Sequence, residues 1–440
     1  MKLEDQIAKV PFPCELFQLQ VESLDVIFQN EKLKSIDLRE YNSQACRVIK
    51  DNCLGFTTGS GQTPFEVLYT SASEGAEFGQ EAHFNFITGP GEKEESTALD
   101  PQIEALTEDE LIERGATFLK RLQKEKPAYN NHAGLGRQRE TIRIISNQGI
   151  DRTFTRNSFS MGFGLTKTTE GDIIEFGQGF NHIPSTQETE EALQKTINNL
   201  ALCEKVVTIE GGKYPVLIHP VAFTFLWEPL YEAINAKAVY EKISPLKDKI
   251  GQKIFSDKIT LVDDPTWVAG DNYTQFDDEG VPATRKTIVD QGVLTSFLTN
   301  LDYAARLNIE PTGNGFRKNW LTNKREADKT PAILPTNRII QPGTTDWKDL
   351  MASIKVGVLL WFTADCWLGN LINGDFSGTI DLGYKIVDGE PVGRIKDSRV
   401  SGNIYSLFNE QVAGVSSYRD FSYHGFDQFP YILCQDVPIS

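Results

Sequence analysis

Histidine, cysteine, serine and the carboxylates are the side chains that attack, coordinate or move protons, and this chain scatters them with little local order. The five histidines, His83, His132, His182, His219 and His424, include no pair spaced to put two imidazoles on one helix face. Each reads first as a structural or surface histidine. The six cysteines, Cys14, Cys46, Cys53, Cys203, Cys366 and Cys434, form no CxxC pair, so reduced and mostly buried thiols are expected. A GxSxG nucleophile elbow, a GxxxxGK[ST] phosphate loop and a strand-linked GxGxxG are all absent. That removes support for serine acyl transfer, P-loop hydrolysis and Rossmann cofactor use, while a Cys/His dyad assembled by folding stays open. Two acidic clusters remain, Asp263-Asp264-Pro265 and Asp277-Asp278-Glu279-Gly280-Val281-Pro282. Their commoner role is to cap and solvate tight turns; the functional alternative is a site for a hard cation or a peptide amine at a strand end.

The elements around these clusters can be read from pattern. Residues 14 to about 58 alternate apolar and polar, with breaks at Gln29-Asn30-Glu31 and Lys50-Asp51-Asn52, as antiparallel hairpins do. Thr63-Pro64-Phe65-Glu66 and Thr107-Glu108-Asp109-Glu110 carry helix-start signals, and Leu111, Ile112, Phe118, Leu119 and Leu122 follow the second at helical spacing. The acidic run from Glu92 to Glu95 reads as a solvated loop. Strands return from Thr141 to Gly179 with a hairpin at Glu170-Gly171-Asp172, and Glu190 to Cys203 reads as an amphipathic helix. Beyond it, Gly211-Gly212, Glu279-Gly280, Gln291-Gly292 and Asp388-Gly389 separate short β-like runs. The expected fold is α/β: an N-terminal α/β domain of antiparallel strands and helices over residues 1–206, and a C-terminal β-rich domain with few helices over 207–440.

A chain of 440 residues with 40% hydrophobic and 24% charged residues can bury a large core. No apolar run approaches the roughly 20 residues of a membrane span. The start, Met1-Lys2-Leu3-Glu4-Asp5, is acidic where a signal peptide is basic, so a cytoplasmic location is expected. A net charge of −17 repels phosphate backbones and argues against nucleic acid as a partner.

An ordered series of short motifs then carries a resemblance. It runs through Ser244-Pro245-Leu246, Gly251, Ile259 to Pro265, Phe276 to Pro282, Gln291-Gly292-Val293-Leu294, Ala304-Ala305-Arg306-Leu307 and Thr312-Gly313-Asn314. It continues with Thr336-Asn337, Gln341-Pro342-Gly343, Gly374 to Ser377, Val387 to Pro391 and Ser401-Gly402-Asn403, and Cys46 to Ile49 with Leu54-Gly55-Phe56 fits at the start. In order and spacing the chain resembles the TldD/PmbA family, once labelled modulators of DNA gyrase. The family divides into a zinc-bearing TldD type with HExxxH on one helix and a TldE or PmbA companion without it.

The equivalent segment here is Phe225 to Glu232, with Trp227 and Glu232 in the two histidine places and only the glutamate kept, as Glu228. An indole offers a metal no lone pair. No cysteine precedes Phe429 where TldD has its zinc cysteine; Ser422, Tyr423 and His424 stand there. The resemblance therefore implies a pseudo-peptidase: no catalytic residues and no metal of its own, with zinc expected in a TldD-type partner. The partner would be that zinc subunit or a second copy, the substrate an unfolded peptide received by strand addition. Peptide contact is expected at Asp278, Glu279, Gly280, Asn314 and Arg317. Two rival readings stay open. One is a metallopeptidase using Glu228, Glu232 and a remote His219 or His424 around a divergent metal, and the other is an acidic regulator of gyrase.

Overall fold

The computed structural model describes residues 2–319, 322–366, 370–421 and 427–440. The chain builds two sheets in succession, and the fold is mixed α/β. The first sheet takes β1 (Cys14–Gln29), β2 (Lys32–Lys50), β3 (Cys53–Ser60), β4 (Lys93–Ala98), β5 (Asn130–Ser146), β6 (Asp151–Thr169) and β7 (Asp172–Phe180). Its order is β3-β2-β1-β5-β6, with β4 and β7 both on the far side of β6. The breaks read from the sequence are its hairpin turns. Asn30 and Glu31 sit at φ 51° and 61°, Asp51 and Asn52 at 52° and 61°. Two successive left-handed residues form the tight turn whose twist matches paired strands.

The acidic run expected as a loop is instead mostly strand. Lys93–Ala98 lies parallel on β6, with Glu94 opposite Arg152, whose Nε donates to its carboxylate at 2.9 Å. A cross-strand ion pair holds what composition alone reads as solvated.

Helix Glu108–Glu125 starts with the expected capping box: Thr107 Oγ1 accepts from the Glu110 amide and Glu110 Oε2 accepts from the Thr107 amide at 2.8 Å. It buries Leu111, Phe118, Leu119 and Leu122 against Leu24, Val26 and Phe28 of β1. The helix expected at Thr63-Pro64 begins one residue later, at Phe65, and Thr63 Oγ1 turns back to donate to the Ser60 carbonyl at 2.9 Å. Helix Thr186–Cys203 is longer than expected, because Ser185 and Glu188 form a further capping box.

The second sheet has twelve strands drawn from residues 206–439. Its centre is Asp427–Ile439, flanked by Gly212–Ile218 and then Val356–Ala364 on one side and by Val412–Phe421 on the other. The described helices of this half are short, seven residues at most. Among the described residues no helix is long and apolar enough to cross a membrane.

Two layers join the halves. One is apolar: helix Thr186–Cys203 buries Ala192, Leu193, Leu200 and Cys203 in a cluster shared with Leu217, Leu359, Tyr384 and Tyr431 of the second sheet. The other is ionic and contains the acidic turn.

Candidate functional site

The segment that the resemblance sets against the metal motif, Phe225 to Glu232, lies on two short helices, Phe223–Leu226 and Glu228–Ile234. Trp227 is the residue between them, and Pro229 follows it in the first turn, where a missing amide hydrogen costs nothing. Trp227 is fully buried. Its ring stacks on Phe408 at 4.5 Å and meets Phe255 edge-on at 5.5 Å, inside the core of the second half. Its Nε1 has no hydrogen-bond partner, so the indole serves packing.

The next turn of helix looks the other way. Glu228 Oε1 lies 3.5 Å from Arg338 Nη1, across 110 residues of sequence. Arg338 projects from strand Arg338–Ile340, is 5% exposed, and donates from Nε and Nη2 to the two oxygens of Asp427 at 2.6 and 2.5 Å. Its guanidinium also stands 4.2 Å over the Tyr231 ring. Burial raises the Glu228 carboxyl above its ordinary range, against the pull of Arg338. Glu232, in the second histidine place, is exposed.

These residues do not suit a zinc ion. The first position is an indole in an aromatic core, the retained glutamate is engaged by a guanidinium, and the carboxylate of the second is exposed. Among the described residues no three His, Cys, Asp or Glu side chains gather in a metal-holding group. His219 does not join Glu228 either. It is 1% exposed, its Nδ1 accepts the Val221 amide at 3.1 Å, and its ring stacks on Trp361 at 3.7 Å. Burial holds it well below the usual imidazole range and hence neutral. Ser422, Tyr423 and His424 lie outside the described residues.

The expected peptide contacts, Asp278, Glu279, Gly280, Asn314 and Arg317, do come together, but all five are buried. Asp277 shapes the turn: its Oδ1 accepts the amides of Glu279 and Val281 at 3.0 and 2.9 Å, and its Oδ2 the Gly315 amide at 2.8 Å. Asp278 accepts Arg325 Nε at 2.8 Å, and Arg325 Nη1 reaches Glu140 of β5 at 2.5 Å. Glu279 accepts Arg47 Nη1 at 2.8 Å, while Arg47 Nε and Nη2 hold Glu15 of β1 at 2.9 Å each. Arg152 of β6 donates to the Gly280 carbonyl at 2.5 Å. Arg317 threads between Phe17 and Phe56 at 5.1 and 5.6 Å and donates to the Lys329 carbonyl, and burial beside Arg47 pulls it down to about 10. Asn314 Nδ2 binds Asp263 at 2.9 Å.

In this arrangement the five residues present no surface to a peptide; Glu279 and Gly280 bond directly to Arg47 and Arg152 of the first sheet, Asp278 reaches Glu140 through Arg325, and Asn314 bonds within the second half. The expectation of a solvated turn is corrected for the same reason. The capping half of that expectation holds: Asp277 caps its turn from a buried position, and Asp264 accepts the Thr266 amide at 2.9 Å.

Arg338, Asp427, Tyr231 and Arg47 were not singled out from the sequence. One signal was available: a charge at the head of the apolar run Arg338-Ile339-Ile340, which in a buried strand demands a partner.

Comparison with known proteins fits this architecture. A metalloprotease of Methanothermobacter thermautotrophicus is 28% identical over 267 residues, 57% of this chain and 54% of that protein, so the chain spans about half the length of that relative. The crystal structure of TldE from Thermococcus kodakarensis superposes with a TM-score of 0.85 at 20% identity, covering 97% of this chain and 96% of that one. A Thermotoga maritima structure described as a modulator of a DNA gyrase gives 0.85 at 22%, covering 98% and 96%. At those identities the two structures speak for the fold. Residues 211–440, over half the chain, match the domain described as PmbA/TldA metallopeptidase C-terminal domain. The chain belongs to the PmbA/TldD metallopeptidase family.

Proposed function

We propose that this chain is the non-catalytic, TldE-type companion in a TldD/TldE-type metallopeptidase that processes unfolded peptides in the cytoplasm. The observation that carries the reading is Trp227, a fully buried indole standing in a liganding position, next to a glutamate held by Arg338 instead of facing a metal. Without a Lewis acid to lower the pKa of a bound water, a lone glutamate has nothing activated to deprotonate. In this reading the catalytic zinc sits in a TldD-type partner, and this chain helps enclose the peptide. Strand Val412–Phe421 supports a receiving role. Among the described residues it has one strand neighbour, Asp427–Ile439, and its outer edge is bridged only at Ser416, by Thr345.

The test is reconstitution. The purified chain alone leaves an unfolded peptide intact and carries no zinc; mixed with a zinc-bearing TldD-type protein, it forms a complex that cleaves the peptide faster than the zinc protein alone. Chelator-sensitive cleavage by this chain alone overturns the proposal.

A further inference from the structure

We infer that Arg338 is a resident cation for the Glu228 and Asp427 carboxylates, and that it keeps this pair closed to divalent metal. The inference rests on the companion-subunit reading and adds the group responsible. Four observations carry it. Glu228, the one residue of the metal motif that this chain retains, forms its ion pair with Arg338 at 3.5 Å. Asp427, fully buried, receives both arms of the same guanidinium at 2.6 and 2.5 Å. Tyr231, one helical turn from both Trp227 and Glu228, places its ring beneath the cation at 4.2 Å. The Nε1 of Trp227 is buried without a hydrogen-bond partner and, having no lone pair to give, adds no ligand toward a metal.

The chemistry is that of a fixed counter-charge. Two carboxylates converging in a partly buried site form a donor pair for a hard or borderline cation. A guanidinium satisfies the same pair with a permanent charge and a planar fork, and it is tethered to the chain, so no free ion competes with it on equal terms. A divalent ion entering beside it meets a like charge in a medium of low dielectric. The arginine thus does what the lost histidines alone do not: it stabilises the retained carboxylates without metal.

The test uses the full chain and two probes, zinc chloride and methylguanidinium chloride, read by thermal unfolding and by equilibrium dialysis with metal analysis. The wild type is indifferent to both. Arg338→Ala melts lower, is restored by either cation, and binds zinc about tenfold or more tightly than wild type, because the repelling charge is gone. Arg338→Lys keeps the wild-type indifference to zinc, and Glu228→Gln combined with Arg338→Ala removes the zinc gain. A purely structural arginine would give the lower melting point without zinc rescue, which overturns the inference while leaving the companion reading intact. Stoichiometric zinc in the wild type overturns both. Should Arg338→Ala not fold, Arg338→Gln carries the same measurements; if neither folds with either cation present, the inference is overturned.

Discussion

Replacing Arg47 by methionine isolates the ionic layer between the two halves. The guanidinium is 2% exposed and holds three carboxylate contacts, two to Glu15 at 2.9 Å in its own sheet and one to Glu279 at 2.8 Å from the other half. Methionine keeps most of the stem's volume under Phe84 and Phe86, whose rings lie 5.6 and 5.2 Å from the guanidinium carbon. What disappears is the charge. Breaking a buried pair from one side costs about 3–5 kcal/mol, since the abandoned carboxylate stays desolvated. Two carboxylates are abandoned here, yet each keeps some support: Arg317 Nη2 lies 3.6 Å from Glu15, and the Leu301 amide still donates to Glu279 at 2.7 Å. The expected loss is therefore about 4 kcal/mol, a large share of the roughly 5–15 kcal/mol that stabilises a folded domain. In urea, with a slope of about 3 kcal/mol per molar, the midpoint moves down by about 1 M. Tryptophan fluorescence follows the second half, and circular dichroism both. Neutralising the partners as well, in Arg47→Met with Glu15→Gln and Glu279→Gln, recovers more than half of the loss, because no charge is then left buried alone. A single-variant cost under about 1 kcal/mol, the value of an exposed pair, would refute the claim that these residues fasten the halves.

The same layer carries a pH signature. Glu140, buried between Arg325 and Arg156, is held down at about 2 because those two charges overcome the effect of burial. A depressed carboxyl contributes stability above its ordinary value and loses it as pH falls toward 2; the shift corresponds to about 3 kcal/mol, and Glu140→Gln removes this acid limb from a stability-against-pH curve. Asp271 behaves oppositely. Burial raises it to about 7, so its neutral form is the favoured one, and its contribution is present below the ordinary aspartate range and lost as pH rises to 7. Asp271→Asn therefore flattens the curve between these limits and raises stability above pH 7. Trp227→His costs about 3 kcal/mol through the cavity left against Phe408 and Phe255, and metal analysis of the variant finds no zinc, because one histidine in that core does not displace Arg338.

Local rules were enough for the parts of this protein governed by neighbours in sequence. The turns at Asn30-Glu31 and Asp51-Asn52 follow from Asn30, Asp51 and Asn52, which tolerate left-handed backbone, and the capping box at Thr107 and Glu110 from two side chains three positions apart. That Trp227 offers a metal no ligand was legible as well, since an indole lacks the required lone pair wherever it points. Tertiary structure decided where the charges went. Arg47 meets Glu279 across 232 residues, Arg325 meets Glu140 across 185, and Arg338 meets Glu228 across 110. Hydrophobic periodicity records which face of an element turns inward but not which distant element it meets, so an acidic turn destined for burial looks the same as a solvated one. Docking of the second half on the first sheet strips water from Arg47, Glu279, Arg325 and Glu140 at once and makes their pairing obligatory, while Arg338 and Glu228 meet within the second half.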